Sequence, residues 1–295
     1  MESYLVTGGE GFIGRNLCSA IRKSGGKALT LDHSGNPDFK GSVCDYGIVE
    51  KASADVDGIF HLAAVTSPPQ FEEDIVTGFE TNVNGTLNVL RAAVRNGVRR
   101  VVFASSSSTY GNLRESADES RISYEHQNMY PLTKVFGEFM GKFFDSRKET
   151  EFLAVRYFNT YGNGENTKSL YASVIWRFVN NALKSEDMIV YGDGRQSRDF
   201  VYVKDVAEAT LSVFMRGRSG ESYNVGSGKT YMFNDIARTV KDITGSTSGI
   251  AHVDNPLKNY QMFTLSDISK IKKDTGWEPR FSLESGIKEM ISDLK

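Results

Sequence analysis

The stretch Tyr4-Leu5-Val6-Thr7-Gly8-Gly9-Glu10-Gly11-Phe12-Ile13-Gly14 is where the architecture of this chain can be worked out. A short apolar run feeds a glycine-rich turn, and apolar residues at helical spacing follow through Leu17 and Ile21. That order reads as a strand, a tight turn and a helix whose N-terminus is uncovered. Glycines at 8, 11 and 14 let the backbone approach a pyrophosphate, whose charge suits the amides at the helix start. The next strand, Ala28-Leu29-Thr30-Leu31-Asp32, ends in a carboxylate 18 residues after Gly14, near the spacing of the acid that grips a ribose 2′-hydroxyl. A carboxylate at Asp32 repels a 2′-phosphate, and residues 33–39 hold no Arg or Lys to receive one. The implied dinucleotide is NAD rather than NADP.

Working outward, strand-like runs at 3–6, 28–32, 58–62, 100–104 and 152–157 alternate with helical patterns near 12–23, 79–96 and 131–146. Such alternation predicts an α/β fold, a Rossmann-type doubly wound parallel sheet with helices on both faces. Ligands in these sheets gather beyond the carboxyl ends of the strands. Past residue 160 the pattern loosens, with helices expected near 171–183 and 232–244. The expected division is a mainly NAD-binding domain over 1–164 and a smaller mixed α/β substrate lobe over 165–295. Segments near 199–225 are expected to return to the large domain.

With 295 residues the chain can bury a large core. Lys plus Arg number 35 against 37 for Asp plus Glu, a net charge of −2, which argues against nucleic acid or an anionic membrane as the main partner. No apolar run approaches the length needed to cross a bilayer. Two cysteines, Cys18 and Cys44, make no disulfide framework, so a reducing cytoplasm is expected. No histidine–cysteine cluster suggests a metal.

Tyr130-Pro131-Leu132-Thr133-Lys134 places a tyrosine and a lysine four apart at the start of a helix, on one face. An ammonium beside the phenol, together with the positive ring of an oxidised nicotinamide, is expected to favour phenolate. Bringing the phenol to neutrality asks roughly 4 kcal/mol of those surroundings. The pair gains weight from its position, about 25 residues after the run Ser105-Ser106-Ser107-Ser108-Thr109-Tyr110-Gly111. One serine there can hold a substrate hydroxyl that loses its proton while its carbon gives up hydride.

The ordered motifs resemble the extended short-chain dehydrogenase/reductase superfamily, in its nucleotide-sugar epimerase/dehydratase branch. They are Thr7 to Gly14, His61-Leu62-Ala63-Ala64, Asn82-Val83-x-Gly85-Thr86, the serine run, Tyr130-x-x-x-Lys134, Arg156-Tyr157-Phe158-Asn159 and Arg198-Asp199-Phe200-Val201-Tyr202. The resemblance implies that Tyr130 is the acid/base, with Lys134, Ser106 on the reacting hydroxyl, and Ser108 as a second hydroxyl. It implies a cofactor site made of the glycine turn with Phe12 and Ile13, then Asp32, His33 and Asp45 toward the adenosine. Leu62, Ala63, Ala64, Asn82, Tyr157 and Phe158 would line the remainder. Asn159 and Arg198 would meet the substrate diphosphate, with Thr66, Lys168 and Tyr260 completing the nucleotide-sugar site. A homodimer packed through the helices near 79–96 and 131–146 is implied too. Val83, Leu87, Phe136, Met140 and Phe143 are the apolar positions that could serve either that contact or the core.

Residue identity narrows the reaction. Dehydratases of this branch usually carry Asp-Glu after the Ser106 position, where this chain has Ser107 and Ser108. The reading that follows is a 4-epimerase of the UDP-glucose/UDP-galactose type. Two alternatives stay open: a heptose 6-epimerase-like enzyme, in which Lys168 would be a second acid/base, and a 4-keto-sugar reductase. A non-catalytic NAD sensor is the remote one, since an acid/base set serves no purpose there. The stretch 257–264 lacks the second diphosphate arginine typical of galactose 4-epimerases.

Overall fold

The computed structural model of the protein describes residues 1–66, 68–126, 128–166, 172–256 and 261–294, with backbone alone for 68–70. The chain begins β1 (Ser3–Thr7), α1 (Phe12–Lys23), β2 (Lys27–Asp32), β3 (Phe39–Lys40), α2 (Tyr46–Ala52) and β4 (Gly58–His61). Two short helices, α3 (Pro68–Glu73) and α4 (Ile75–Phe79), lead through a π turn at Glu80–Asn84 into α5 (Gly85–Arg95). Then come β5 (Arg100–Ser106), a 3-10 turn at Ser107–Tyr110, α6 (Met129–Ser146) and β6 (Glu151–Tyr157). The later part runs β7 (Asn159–Tyr161), α7 (Val174–Leu183), β8 (Met188–Tyr191), β9 (Ser197–Arg198), β10 (Phe200–Tyr202), α8 (Val203–Arg216) and β11 (Ser222–Val225). It closes with β12 (Tyr231–Met232), α9 (Phe233–Thr244), β13 (Ile250–Val253), α10 (Ser269–Thr275) and α11 (Leu283–Ser292).

Seven parallel strands form the main sheet in the order β11-β6-β5-β4-β1-β2-β3. The order reverses between β1 and β4, the switch point where a crevice opens for a ligand. Alternate residues explain why the strands read as continuous apolar runs. Tyr4 and Val6 pack on one face with Leu17 and Ile21 of α1 and Phe214 of α8, whereas Leu5 packs on the other with Val49, Val89 and Phe103. A third core, including Ile175 and Phe178 of α7, Ile236 and Val240 of α9 and Ile287 of α11, builds the smaller lobe. Strand β11 closes the sheet edge, and Ile271 and Trp277 join the core beneath α8.

Two boundaries differ from the sequence reading. The helix expected near 79–96 is α4, the π turn and α5 in succession, beginning at Ile75. The extra residue in the π turn shifts the helix face there, and Asn82 is buried as a result. The helix expected from 171 starts at Val174, because the Ser173 hydroxyl accepts the amide of Trp176 and caps it.

Candidate active site

The glycine turn sits at the carboxyl end of β1. Gly8 adopts φ +69°, and a Cβ on Gly14 would lie 2.1 Å from the Gly8 carbonyl, so α1 can start this close to the strand only with glycine there. Gly11 caps α1 without a side chain, leaving the first-turn amides to a ligand rather than to a serine or aspartate. Phe12 is buried, and Ile13 packs on the core beneath the turn. Asp32 is buried at the end of β2, where its carboxylate takes the amides of Glu10 and Ser34, each at 3.0 Å, and the Ser34 hydroxyl at 3.1 Å. These bonds fix the carboxylate between the glycine turn and the loop after β2. The exposed His33 ring stands 3.3 Å from it. Asp45 is exposed and caps α2, accepting the Gly47 amide at 2.9 Å through one oxygen.

Leu62, Ala63 and Ala64 follow β4, across the switch point from the glycine turn. The Ala63 amide donates to Thr7 at 3.3 Å. Below them His61 is fully buried between the hydroxyls of Thr7, 2.7 Å away, and Thr86, 3.0 Å away. Burial, with the Lys134 charge adding to it, holds this imidazole down at about 3, so it stays neutral. Asn82, expected to help hold the nicotinamide half of the cofactor, is buried and engaged with the loop after β4 and with α6. Its amide oxygen accepts the Val65 amide at 2.8 Å, and its nitrogen donates to the Val65 carbonyl at 2.9 Å and to Thr133 at 3.1 Å. The side chain ties the loop after β4 to α6, which positions the cofactor wall.

The serine run divides its labour. Ser105 is buried and donates to Glu138 at 2.5 Å. Ser106 caps the 3-10 turn through the Ser108 amide, and its hydroxyl also interacts with the Tyr130 phenol. The Ser108 hydroxyl is buried with no hydrogen-bond partner. Tyr130 and Lys134 lie one turn apart at the start of α6, both buried, with the ammonium nitrogen 5.9 Å from the phenol ring centroid. Lys134 donates to the Ala104 carbonyl at 2.9 Å.

Without the nicotinamide ring, which was expected to act together with the ammonium, the surroundings do not favour phenolate. Burial pushes Tyr130 up to about 12, with only Ser106 pulling it down. Burial also pushes Lys134 down to about 7, against the charge of Glu138. Desolvation therefore outweighs the pairing, and any further pull on the phenol must come with charge brought by a ligand.

On the substrate side, Asn159 donates to the Asp199 carbonyl and to Thr264, both at 3.0 Å, which sets its amide orientation. Arg198 is buried, with its guanidinium 5.5 Å from the Phe233 ring centroid. Asp199 accepts from Ser227, Gly228 and Ser266, and Asp205 from the amides of Arg280 and Phe281. Phe158 is buried against Tyr110. Tyr157 packs its side chain in the core, where its hydroxyl meets Thr210 of α8 at 2.8 Å. Thr66 is exposed on the loop after β4. Lys168 and Tyr260 lie outside the described residues.

Sequence reasoning missed Glu138 and Arg156 as partners. Arg156 grips Glu138 through two nitrogens, at 2.9 and 2.8 Å, with both side chains buried. The available signal was Glu138 four residues beyond Lys134 on the same helix face. Among the described residues no His, Cys, Asp or Glu cluster could hold a metal, and no helix is long and apolar enough to cross a membrane.

The cradle suits a dinucleotide: an uncapped helix start, a glycine that no side chain could replace, and an anchored acid at the end of β2. The NAD dependent epimerase/dehydratase family matches residues 4–226. The chain belongs to that family. It is an NAD-dependent enzyme acting on nucleotide sugars. It is 32% identical to the UDP-N-acetyl-alpha-D-glucosaminuronate decarboxylase of Bacillus cytotoxicus, over 97% of this chain and 96% of that one. The Thermotoga maritima UDP-glucose 4-epimerase, solved with UDP-glucose, superposes with a TM-score of 0.92 at 26% identity, covering 99% of this chain and 98% of that one. The Thermus thermophilus UDP-glucose 4-epimerase, solved with NAD, gives 0.86 at 26% identity, covering 98% of each.

Proposed function

We propose that this enzyme is a nucleotide-sugar 4-epimerase of the UDP-glucose/UDP-galactose type, working through a transient 4-keto sugar. The observation that carries the reading is Tyr130 with Ser106 against its phenol and, two residues on, the buried and unpartnered hydroxyl of Ser108, in a run from 104 to 111 that holds no carboxylate. Elimination of water needs proton carriers that this run lacks, whereas an oxidation and its reversal need one acid/base. NAD, held by the glycine turn and Asp32, would supply the hydride acceptor and, when oxidised, positive charge to the site. Tyr130 then removes the proton from the sugar 4-hydroxyl and later returns one to O4. Ser106 orients that hydroxyl, and Ser108 offers it or its neighbour a second hydrogen bond. Lys134 holds the cofactor half of the site from the Ala104 carbonyl. Arg198 and Asn159 reach the diphosphate from the smaller lobe, where a planar guanidinium meets phosphate bidentately.

The decarboxylase relative favours one second reading, a UDP-uronate decarboxylase. It begins with the same oxidation, since a C4 ketone stands β to the C6 carboxylate and CO2 then leaves. Incubation with UDP-glucose, UDP-N-acetylglucosamine and UDP-glucuronate, followed by NMR of each anomeric proton, separates the two. Interconversion of 4-epimers without net NADH supports the proposal; a UDP-pentose with released CO2 replaces it. Tyr130→Phe should lower turnover by about 10²–10⁴-fold while NAD stays bound. Near-normal turnover in that variant would remove Tyr130 from its role.

The working form is a homodimer. Phe136, Phe139 and Phe143 stand 56, 51 and 58% exposed along one face of α6, a stripe that a second copy of this helix pair would cover. Val83, by contrast, is core. Both cysteines are free, Cys44 on the surface, which suits a reducing cytoplasm.

A further inference from the structure

The end of the cradle near Asp32 holds a charged pair outside the reaction chemistry. Glu10 lies inside the glycine turn, where its amide donates to Asp32 at 3.0 Å. Its carboxylate rests against Gly35, in the loop after β2: a Cβ on Gly35 would come within 2.7 Å of a Glu10 oxygen. The same oxygen accepts Arg15, in the first turn of α1, at 3.1 Å. Glu10 is the better shielded partner, with side-chain exposure of 19% against 54% for Arg15. Two carboxylates and one guanidinium thus surround the place where the acid ending the second strand meets the ribose 2′-hydroxyl.

We propose that Glu10 is a second determinant of dinucleotide choice: its carboxylate adds to the repulsion set up by Asp32 and holds Arg15, the guanidinium that would otherwise receive a 2′-phosphate. A phosphate at the 2′ position carries negative charge and asks for a bidentate cation. Arg15 is joined to this loop through Glu10, whose carboxylate rests against Gly35, and it is engaged there. NADP exclusion therefore has two parts, a charge that repels and a cation withheld. The second part is invisible if only the segment after β2 is inspected for basic residues.

Direct titration of NAD+ and NADP+ into the purified protein, stripped of dinucleotide, reads this by calorimetry and needs no sugar substrate. Its outcome is therefore independent of the reaction proposed above. Glu10→Gln should tighten NADP+ about tenfold and leave NAD+ within about threefold. In Glu10→Gln/Arg15→Met the share due to the freed guanidinium should go, leaving only the smaller gain from relieved repulsion. In Glu10→Gln/Lys40→Met the full gain should persist, although Lys40 is exposed and pairs in register with Asp32 across β2 and β3. Asp32→Ala should relax the exclusion independently. The Glu10–Arg15 pair is an exposed one worth about 0–1 kcal/mol, so the variants should fold, and Glu10→Ser stands in should the glutamine variant not. Unchanged NADP+ affinity in both Glu10 variants overturns the proposal. A gain undiminished by loss of Arg15, or one that disappears with Lys40, overturns the role given to Arg15.

Discussion

Helix α6 carries two buried polar clusters one turn apart, and they are finished to different degrees. At Glu138 both carboxylate oxygens are taken, by Arg156, by Ser105 at 2.5 Å and by Ser222 at 3.0 Å. Arg156 spends its remaining nitrogen on Tyr110 and on the carbonyls of Glu119 and Arg121, and Tyr110 passes on to Asn224 at 2.6 Å. That network holds Glu138 below the usual carboxylate range despite its burial. At Tyr130 and Lys134 burial wins instead, driving the phenol up, the ammonium down, and leaving Ser108 without a partner. Native interiors normally satisfy their polar groups. The closed cluster behaves as fold; under the proposed function, the open one is completed by what binds there.

The strongest way to break this comparison is to open the closed cluster. Arg156→Met leaves the Glu138 charge buried and uncompensated, and should cost about 3–5 kcal/mol in chemical denaturation. Replacing both, as Glu138→Leu/Arg156→Met, should recover a large part of that loss, because no orphan charge remains. A loss below about 1 kcal/mol in the single variant would mean that the network is no more than a surface-grade pair.

Much of the open cluster was legible because its residues sit next to recognisable periodicity: the glycine turn after an apolar strand, the serines after β5, Tyr130 and Lys134 at helical spacing. The closed one was not. Glu138, Arg156, Tyr110 and Asn224 come from four separate segments, and their meeting depends on the sheet order, which local pattern does not encode. The contacts of Asn82 were hidden for a related reason: the π turn that carries it, and its bonds to Val65, cannot be read from apolar spacing. The phenol is the third case: spacing shows the pair, whereas the depth of burial that raises the phenol in the ligand-free protein becomes known only when strand and helix are packed together.

A smaller effect sharpens the comparison through pH. Lys134 falls from the ordinary 10.5 to about 7 in the folded protein. Between those values the unfolded chain binds a proton that the folded chain does not, so stability from this group rises with pH across that window. Relative to Lys134→Met, the ligand-free enzyme should therefore gain about 1–2 kcal/mol between pH 7 and 9, a few degrees in Tm. Equal slopes for the two proteins would show that Lys134 keeps its ordinary proton affinity and that the cluster is not desolvated. Saturation with NAD alters the charge facing Lys134, so the comparison belongs to the stripped protein.

The smallest expected effect discriminates most finely, because its two readouts should move in opposite directions. Ser108 buries a hydroxyl that gains nothing from the fold, and a buried polar group without a partner is a cost. Ser108→Ala removes that cost along with the hydroxyl, so denaturation should show unchanged stability or a gain of up to about 1 kcal/mol. If the hydroxyl is reserved for the sugar, kcat/KM for the preferred nucleotide sugar should fall about tenfold, the equivalent of about 1.4 kcal/mol. A hydroxyl with a structural partner gives a different signature, in which stability and kcat/KM fall together. That result would close the second cluster too, and with it the distinction on which the catalytic reading of α6 depends.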